Sequence, residues 1–217
     1  MIHAVSKTNN SQQPHSGTSI RVMEQGKLIE LDYDGAMSEH AGSLWWGTAV
    51  AYRAMQVAAA ALSRDALWNR DQMTVVTAHP GGGVRDAVNY VTRAVEKNRF
   101  TVVKDKDCGM KCNSTMKYEW WVSDGEKTAH VALRSDFVPW NFYLLMDRLG
   151  KPDTTDADKA VFDVFKVNLS AKIWNYPLME SYSVTVMDRA LQPGELPEAV
   201  KAPNFWDSVK EIQASAG

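Results

Sequence analysis

The chain has 217 residues, of which 45% are hydrophobic and 23% are charged, and its formal net charge is -2 at pH 7. This composition is typical of a globular protein, and the near-zero charge argues against a basic nucleic-acid binder and a polybasic membrane-surface protein. Two cysteines cannot form a disulfide framework, and no apolar run is as long as a membrane span.

The two ends of the sequence differ in character from its middle. Residues 1–19 are polar and lack the apolar core of a signal peptide, so we predict a disordered tail and a cytoplasmic protein. An exported protein whose signal peptide has been removed is the alternative. We expect the folded domain over residues 20–190, and an extended tail with a short helix over residues 191–217.

The first predicted elements lead to a closely packed helix. A strand is expected over residues 28–31, and Ser43 can cap a helix over residues 44–62. Small residues recur along this helix every three or four positions and form one stripe: Gly47, Ala51, Ala54, Ala58 and Ala61. Because a stripe without bulk lets another element come close, we expect this helix at the centre of the fold.

A β-branched run over residues 73–78 predicts a buried strand, which a helix over residues 84–97 and a strand over residues 100–103 follow. Between the first strand and the helix lies the turn Gly81-Gly82-Gly83. Its backbone amides and the helix dipole favour a phosphate or carboxylate, and a tight turn without a ligand is the alternative. No Walker A or GxGxxG pattern accompanies the turn.

Asp124-Gly125 is a two-residue turn signal between two alternating segments, and it predicts a hairpin. Pairing outward places Trp120 opposite Ala129 on an apolar face, and Glu119 opposite His130 on the other face. We interpret the Glu119–His130 pair as structural.

Two helices and a last strand complete the prediction. Asp136 and Pro139 open a short helix that Gly150 closes, and Thr155 caps a longer one that ends at Pro177. The longer helix has one amphipathic stripe, made of Ala157, Ala160, Val161, Val164, Phe165, Leu169 and Ile173. The last strand is expected over residues 182–187.

Histidines and cysteines supply the candidate metal ligands. His79, at the mouth of the glycine turn, is placed for metal ligation or proton transfer, with packing as the structural alternative. Cys108 and Cys112 form a C-x3-C pair, which with His40 and His79 gives the tetrahedral N/S set that zinc prefers. A redox pair and two unrelated loop cysteines are the other interpretations.

The chain is rich in tryptophan, with eight in all, and two pairs are adjacent. Trp45 and Trp46 stand at a predicted helix start, where they could stack on a cofactor as large as a tetrapyrrole. Trp120 and Trp121 lie in the hairpin on opposite faces. The alternative is that these side chains belong to the core and to a dimer contact.

The order of these elements resembles the FmdE-like family, which is named after a component of formylmethanofuran dehydrogenase. The family's first motif, H-G-H-x-C-P-G leading to G-Y-R, is similar to residues 39–47 followed by Ala51-Tyr52-Arg53. Its second motif, a strand, a turn with glycine and cysteine, and a helix, is similar to residues 79–87. The resemblance covers residues 32–187. Metal-binding cysteines of the two motifs correspond here to Trp45 and to a glycine of the turn.

The resemblance implies an α+β fold with the core order α-β-α-β-β-β, a mixed sheet with helices packed on it, and additional C-terminal helices. A similar domain occurs in glyceraldehyde-phosphate dehydrogenases. Formylmethanofuran chemistry is not implied, because other components of that enzyme carry its pterin metal centre and iron–sulfur clusters.

We therefore predict a homodimeric protein that binds a metal, with zinc the first choice, or a small cofactor, at His40, His79, the glycine turn and the cysteine loop. The alternative is a small enzyme acting on a carboxylate or phosphate metabolite. In that enzyme His79 is the base or ligand and Asp86, in the first turn of the next helix, orients it. We expect neither a nucleic acid nor a membrane as partner.

Overall fold

The computed structural model describes residues 19–40, 46–63, 67–103 and 112–197, and every structural statement below concerns these residues. The predicted tail over residues 1–18, Trp45, Cys108 and the predicted C-terminal helix lie outside them. The strands are β1 (Ile20–Glu24), β2 (Lys27–Leu31), β3 (Thr74–Thr77), β4 (Phe100–Val102), β5 (Glu119–Ser123), β6 (Thr128–Leu133) and β7 (Tyr182–Met187). The helices are α1 (Tyr33–Glu39), α2 (Trp46–Leu62), α3 (Gly82–Thr92), α4 (Trp140–Leu149), α5 (Asp156–Asn175) and α6 (Leu178–Ser181).

Five of the strands form a mixed sheet, and the other two form a separate hairpin. The sheet order is β4-β3-β5-β6-β7, in which β3 and β4 run parallel and every other neighbouring pair is antiparallel. Helix α3 makes the crossover that a parallel pair requires. The run from α2 to β6 has the predicted order α-β-α-β-β-β. The α+β prediction with a mixed sheet is therefore confirmed.

The central position of α2 is also confirmed. Val50, Tyr52 and Met55 are fully buried in the main core, and the Tyr182 hydroxyl on β7 donates to the Val50 carbonyl at 2.7 Å. Gly47 opens the helix against α3, where a Cβ would lie 3.3 Å from the Val84 backbone nitrogen. The absence of side chains at this point lets the first turns of the two helices touch.

The hairpin forms, but its predicted register is wrong by two residues. Trp120 pairs with Val131 instead of Ala129, and Trp121 pairs with His130. The loop is longer than predicted because the Asp124 side chain accepts hydrogen bonds from the Glu126 and Lys127 amides, and so four residues make the turn. A shift of two residues keeps each side chain on its predicted face.

The face of the sheet opposite the main core carries a smaller apolar cluster. Trp121 is buried there, and its ring stacks on His130 with the two planes 1° apart. His130 Nε2 lies 3.6 Å from a Glu119 carboxylate oxygen, so these two side chains do contact each other. Trp121 is therefore a packing residue.

Helix α3 ends earlier than predicted, at Thr92 rather than residue 97. Arg93 adopts a left-handed backbone conformation with φ of 55°, which stops the helix. The Thr92 hydroxyl then accepts from the Ala94 amide, and the Arg99 amide donates to the Ala94 carbonyl as the chain turns into β4.

The predicted apolar stripe of α5 is correct only in part. Thr155 caps the helix with a capping box, as predicted, and Leu169 and Ile173 are buried. Val161 and Val164, however, are 50% and 60% exposed. The inner face of the helix keeps Phe165, Leu169 and Ile173 from the predicted stripe and adds Phe162, which the stripe lacks.

None of the described helices has both the length and the apolar character that a membrane crossing needs.

The contact between α2 and α3 predicts a sharp difference between two neighbouring glycines. A Cβ on Gly83 would lie 2.9 Å from the Thr48 hydroxyl and 3.0 Å from the Thr48 backbone nitrogen, whereas a Cβ on Gly82 would meet no described residue within 4 Å. We expect Gly83→Ala to lower the free energy of unfolding by about 1–3 kcal/mol, because the two helix starts must separate. Gly82→Ala should change it by less than about 0.5 kcal/mol.

Urea denaturation of both variants checks this prediction. Equal effects of the two substitutions would contradict the close approach of α2 and α3.

Candidate functional site

The candidate site lies where β3 ends and α3 begins. His79 follows β3 by two residues, and Gly81 is the N-cap of α3. The start of α2 lies against the same turn, because Gly47 and Gly83 are in contact. Two helix starts therefore lie at this edge of the sheet.

The His79 ring is held by its own turn. The Gly81 amide donates to His79 Nδ1 at 3.0 Å, and the His79 amide donates to the Thr77 hydroxyl at 3.2 Å. Because Nδ1 accepts a hydrogen bond, the neutral ring carries its proton on Nε2. Nε2 is buried and has no hydrogen-bond partner among the described residues. The site thus contains a buried N–H donor that the described part of the chain does not use.

Burial also sets the charge of His79. The side chain is 4% exposed, and this burial lowers its pKa from 6.5 to about 4. The ring is therefore neutral at pH 7. A weakly basic imidazole whose Nδ1 is occupied is better suited to donating a hydrogen bond through Nε2 than to removing a proton.

Aromatic side chains close one side of the site. The Tyr118 ring lies 4.7 Å from the His79 ring, and the Tyr118 hydroxyl accepts from Trp46 Nε1 at 2.9 Å. Burial raises the pKa of Tyr118 well above its usual value, so the hydroxyl stays protonated. Trp46 is 3% exposed and lies parallel to Phe137, with the ring centres 6.2 Å apart. Trp46 is therefore a core residue, and the prediction that it is a stacking platform for a cofactor is wrong because the fold already uses its ring.

Cys112 approaches the site from the other side of the turn. A Cβ on Gly81 would lie 2.7 Å from the His79 ring and 3.4 Å from Cys112 Sγ, so the ring and the sulfur flank this glycine. Cys112 is exposed, unlike His79. The predicted coupling of Cys112 to Cys108 stays a prediction, since Cys108 lies outside the described residues.

The first turn of α3 faces this group of side chains. Gly81 offers no side chain to the amides of that turn, and none of the residues that the structure describes would lie within 4 Å of a Cβ on Gly82. A helix N-terminus without a side-chain cap carries a partial positive charge that favours an anionic oxygen. Of the three predicted turn glycines, Gly81 lies beside His79 and Cys112, whereas Gly83 contacts the start of α2.

His40 and Asp86 form a separate pair. His40 Nδ1 lies 2.7 Å from an Asp86 carboxylate oxygen, and the two side chains are 13% and 31% exposed. Asp86 lies one helical turn beyond Gly82 and contacts the end of α1. The prediction that Asp86 orients His79 is therefore wrong, because its carboxylate is bonded to His40 and the Gly81 amide holds the His79 ring.

Of the predicted zinc ligands, the structure brings His79 and Cys112 to one turn. No group of three His, Cys, Asp or Glu side chains in the described part of the chain is arranged to hold a metal ion. His79 Nε2 could bind zinc only after losing its proton, which would then occupy Nδ1 and break the Gly81 hydrogen bond. The described residues therefore fit a hydrogen-bonding ligand better than a metal.

The contribution of Tyr118 was not recognised from the sequence. Tyr118 comes just before β5, and the Lys117 amide donates to the Ala78 carbonyl, which places it beside the end of β3. Only the antiparallel pairing of β3 with β5 creates this neighbourhood, and no local sequence signal reports it.

Comparison with known proteins gives little beyond the fold. No protein-family model and no curated protein matches the chain. Among solved structures, it is similar to a tungsten formylmethanofuran dehydrogenase FmdE-like protein from Syntrophus aciditrophicus. The two are 15% identical with a TM-score of 0.40, over 70% of this chain and 67% of that one. The predicted resemblance to the family is therefore supported only by a distant similarity of fold. This similarity says nothing about ligands.

The low pKa of His79 predicts a pH dependence of stability. Between pH 6.5 and about 4 the unfolded chain binds a proton at His79 that the folded chain does not. The free energy of unfolding should therefore be highest above pH 6.5 and fall as the pH drops through this window, by about 3 kcal/mol at pH 4.

Denaturation of the wild type and His79→Gln between pH 7.5 and 4 measures this contribution as the difference between their pH profiles. Parallel profiles for the two proteins would show that His79 is not buried in its neutral form.

Proposed function

We propose that this protein binds a small ligand through an anionic oxygen, carboxylate or phosphate, at the turn between β3 and α3. The observation that carries the proposal is the buried Nε2–H of His79, which has no partner among the described residues. An unsatisfied buried donor costs about 1–3 kcal/mol, so an acceptor supplied by a ligand at this helix start would remove that cost.

The surroundings of His79 favour an acceptor with negative charge. The first-turn amides of α3 and its dipole attract an anion, and among the described residues the space beside Gly82 leaves room for it. Because His79 is neutral, it adds a directed hydrogen bond and no charge. We therefore expect modest affinity and recognition of oxygen geometry more than of total charge.

Two variants separate the donor from the rest of the histidine. Both His79→Gln and His79→Phe remove the Nδ1 acceptor, but only glutamine keeps an N–H near the position of Nε2. With inorganic phosphate and short-chain carboxylates as probes, we expect calorimetry to detect binding to the wild type and to His79→Gln. We expect at least tenfold weaker binding to His79→Phe, because only that variant lacks the donor.

The two variants must have equal melting temperatures for this comparison to hold. No binding of any probe to the wild type, or equal affinity for the two variants, would contradict the proposal.

Zinc is the second candidate ligand, and the convergence of Cys112 and His79 on Gly81 is the observation in its favour. Elemental analysis of untagged protein decides between the candidates. One zinc per chain that is lost in both Cys112→Ser and His79→Phe would favour the metal, whereas a tetrapyrrole would be evident from visible absorption.

For the enzyme alternative, the structure offers His40 and Asp86 as the pair of residues, in place of His79 and Asp86. A carboxylate at 2.7 Å from Nδ1 favours the His40 tautomer with a free lone pair on Nε2, which is the arrangement of a general base and its orienting group. Turnover of a bound carboxylate or phosphate compound that Asp86→Asn abolishes, with binding unchanged, would assign a reaction to this pair.

A further inference from the structure

A strap of chain crosses the face of the sheet that is opposite the main core. We define the strap as residues 188–195, which follow β7 directly. The Thr128 hydroxyl on β6 donates to the Arg189 carbonyl of the strap at 2.8 Å. The Leu191 amide of the strap donates to the Ser123 hydroxyl on β5 at 3.2 Å. The strap therefore runs from β7 past β6 and β5 towards β3.

Three hydroxyl side chains lie in one row under the strap, and the strap bonds to two of them. Thr128 pairs with Ser123, and Ser123 pairs with Thr74, across the sheet. Thr74 is only 4% exposed, and its hydroxyl makes no hydrogen bond within the described residues. Where the strap passes Thr74, two residues after Leu191, it has Pro193, which has no N–H to donate. The third hydroxyl of the row is therefore left without a partner from the strap.

The strap and the edge of the sheet border a cavity of about 500 Å³. Thr74 and Pro193 line this cavity together with Arg99 and Glu126, among others. Volumes of about 300–1,000 Å³ are usual for sites that bind small molecules. The cavity lies at the start of β3, whereas His79 follows the end of that strand. It is therefore separate from the site at the glycine turn.

Hydrogen bonds within the strap fix the shape of this wall of the cavity. The Gln192 amide donates to the Glu195 carboxylate at 2.9 Å, and the Glu195 amide donates to the Gln192 carbonyl at 3.0 Å. Arg189 forms an ion pair with the same carboxylate. Because the turn is closed by its own bonds, the binding of a molecule in the cavity requires little ordering of the strap.

Arg99 supplies a positive charge to the cavity. It stands beside Thr74 on the neighbouring strand, one position before the Val75–Phe100 pair, so the two side chains lie on the same face of the sheet. One of its five N–H groups donates to the Asp71 carbonyl at 2.6 Å, and the others have no hydrogen-bond partner among the described residues. A guanidinium with unused N–H groups favours a carboxylate or phosphate as ligand.

Two further features narrow the class of anion. Glu126 brings a carboxylate to the same cavity, which disfavours a multiply charged phosphate and favours a ligand that also carries an ammonium group. Ala190, Leu191 and Pro193 give the strap side of the cavity an apolar character. A molecule with a carboxylate, an ammonium group and an apolar side chain matches all of these features.

We propose that this cavity binds an α-amino acid with an apolar side chain. The carboxylate of the ligand accepts hydrogen bonds from Arg99 and Thr74. Its ammonium group faces Glu126, and its side chain packs on Pro193. The two sites of the protein share no residue, so either can bind its ligand without the other.

An amino acid and its two singly charged analogues test the class of ligand. Calorimetry on the wild type should detect binding of leucine. Isocaproate lacks the ammonium group of leucine and isoamylamine lacks its carboxylate, so each should bind at least about tenfold more weakly. Binding of none of leucine, valine and methionine, or equal affinity for leucine and isocaproate, would overturn the proposal.

Arg99→Gln tests the position of the carboxylate and should lower the affinity for leucine at least about tenfold. Arg21→Gln is the matched control, because Arg21 is an exposed arginine on β1 that does not line the cavity. It should bind leucine like the wild type. Equal affinity of Arg99→Gln and the wild type would place leucine elsewhere, for example at the glycine turn, and would contradict the proposal.

Thr74→Val tests the cavity without a change of charge. Valine has the shape of threonine and lacks the hydroxyl, so the affinity for leucine should fall about fivefold. The melting temperature should not fall, because the Thr74 hydroxyl has no partner among the described residues. Thr128→Val should lower the melting temperature, since it removes a hydrogen bond to the strap. A Thr74→Val protein that binds leucine as the wild type does would overturn the proposal, even if Arg99→Gln fails to fold.

Discussion

The close approach of α2 and α3 determines how the rest of the site is arranged. Gly47 and Gly83 have no side chains where the two helices touch, and a Cβ at Gly83 would lie within 3.0 Å of Thr48. This contact brings two helix starts to the end of β3 and places Trp46 within hydrogen-bonding distance of Tyr118. Helix packing and the candidate site thus depend on the same two glycines. A wider spacing between α2 and α3 would move both the turn that holds His79 and the aromatic side chains of Trp46 and Tyr118 beside it.

The chemistry available to His79 follows from the turn that holds it. A backbone amide occupies Nδ1, and burial keeps the ring neutral, so Nε2–H is the atom through which it can act. A histidine that binds zinc would usually donate a hydrogen bond from its second nitrogen instead. The direction of one hydrogen bond therefore favours an anionic ligand over a metal at this position, although the residue types alone allow both.

Helix α5 shows how a helix with two apolar faces is divided between the fold and the surface. Aromatic and long aliphatic side chains pack on α4 and the core, whereas the shorter valines and alanines remain outside. Larger side chains bury more area per residue, so the face with Phe162 and Phe165 is the one that stabilises the fold.

Local signals in the sequence determined most of the elements, and the faces of β5 and β6. The glycine turn, the capping box at Thr155, the strand Tyr182–Met187 and the alternation in β5 and β6 each depend on residues close together in the chain. The sequence also grouped His40, His79, the turn glycines, Cys108 and Cys112 in one site, of which the structure brings Gly81, His79 and Cys112 together and pairs His40 with Asp86 instead. Tertiary structure alone decided which distant partners the site side chains take: Asp86 contacts His40 from 46 positions away, and the pairing of β3 with β5 brings Tyr118 to His79. Helical periodicity identifies an apolar face but does not tell whether another element buries it. The exposure of Val161 and Val164 therefore followed only from the packing of α5.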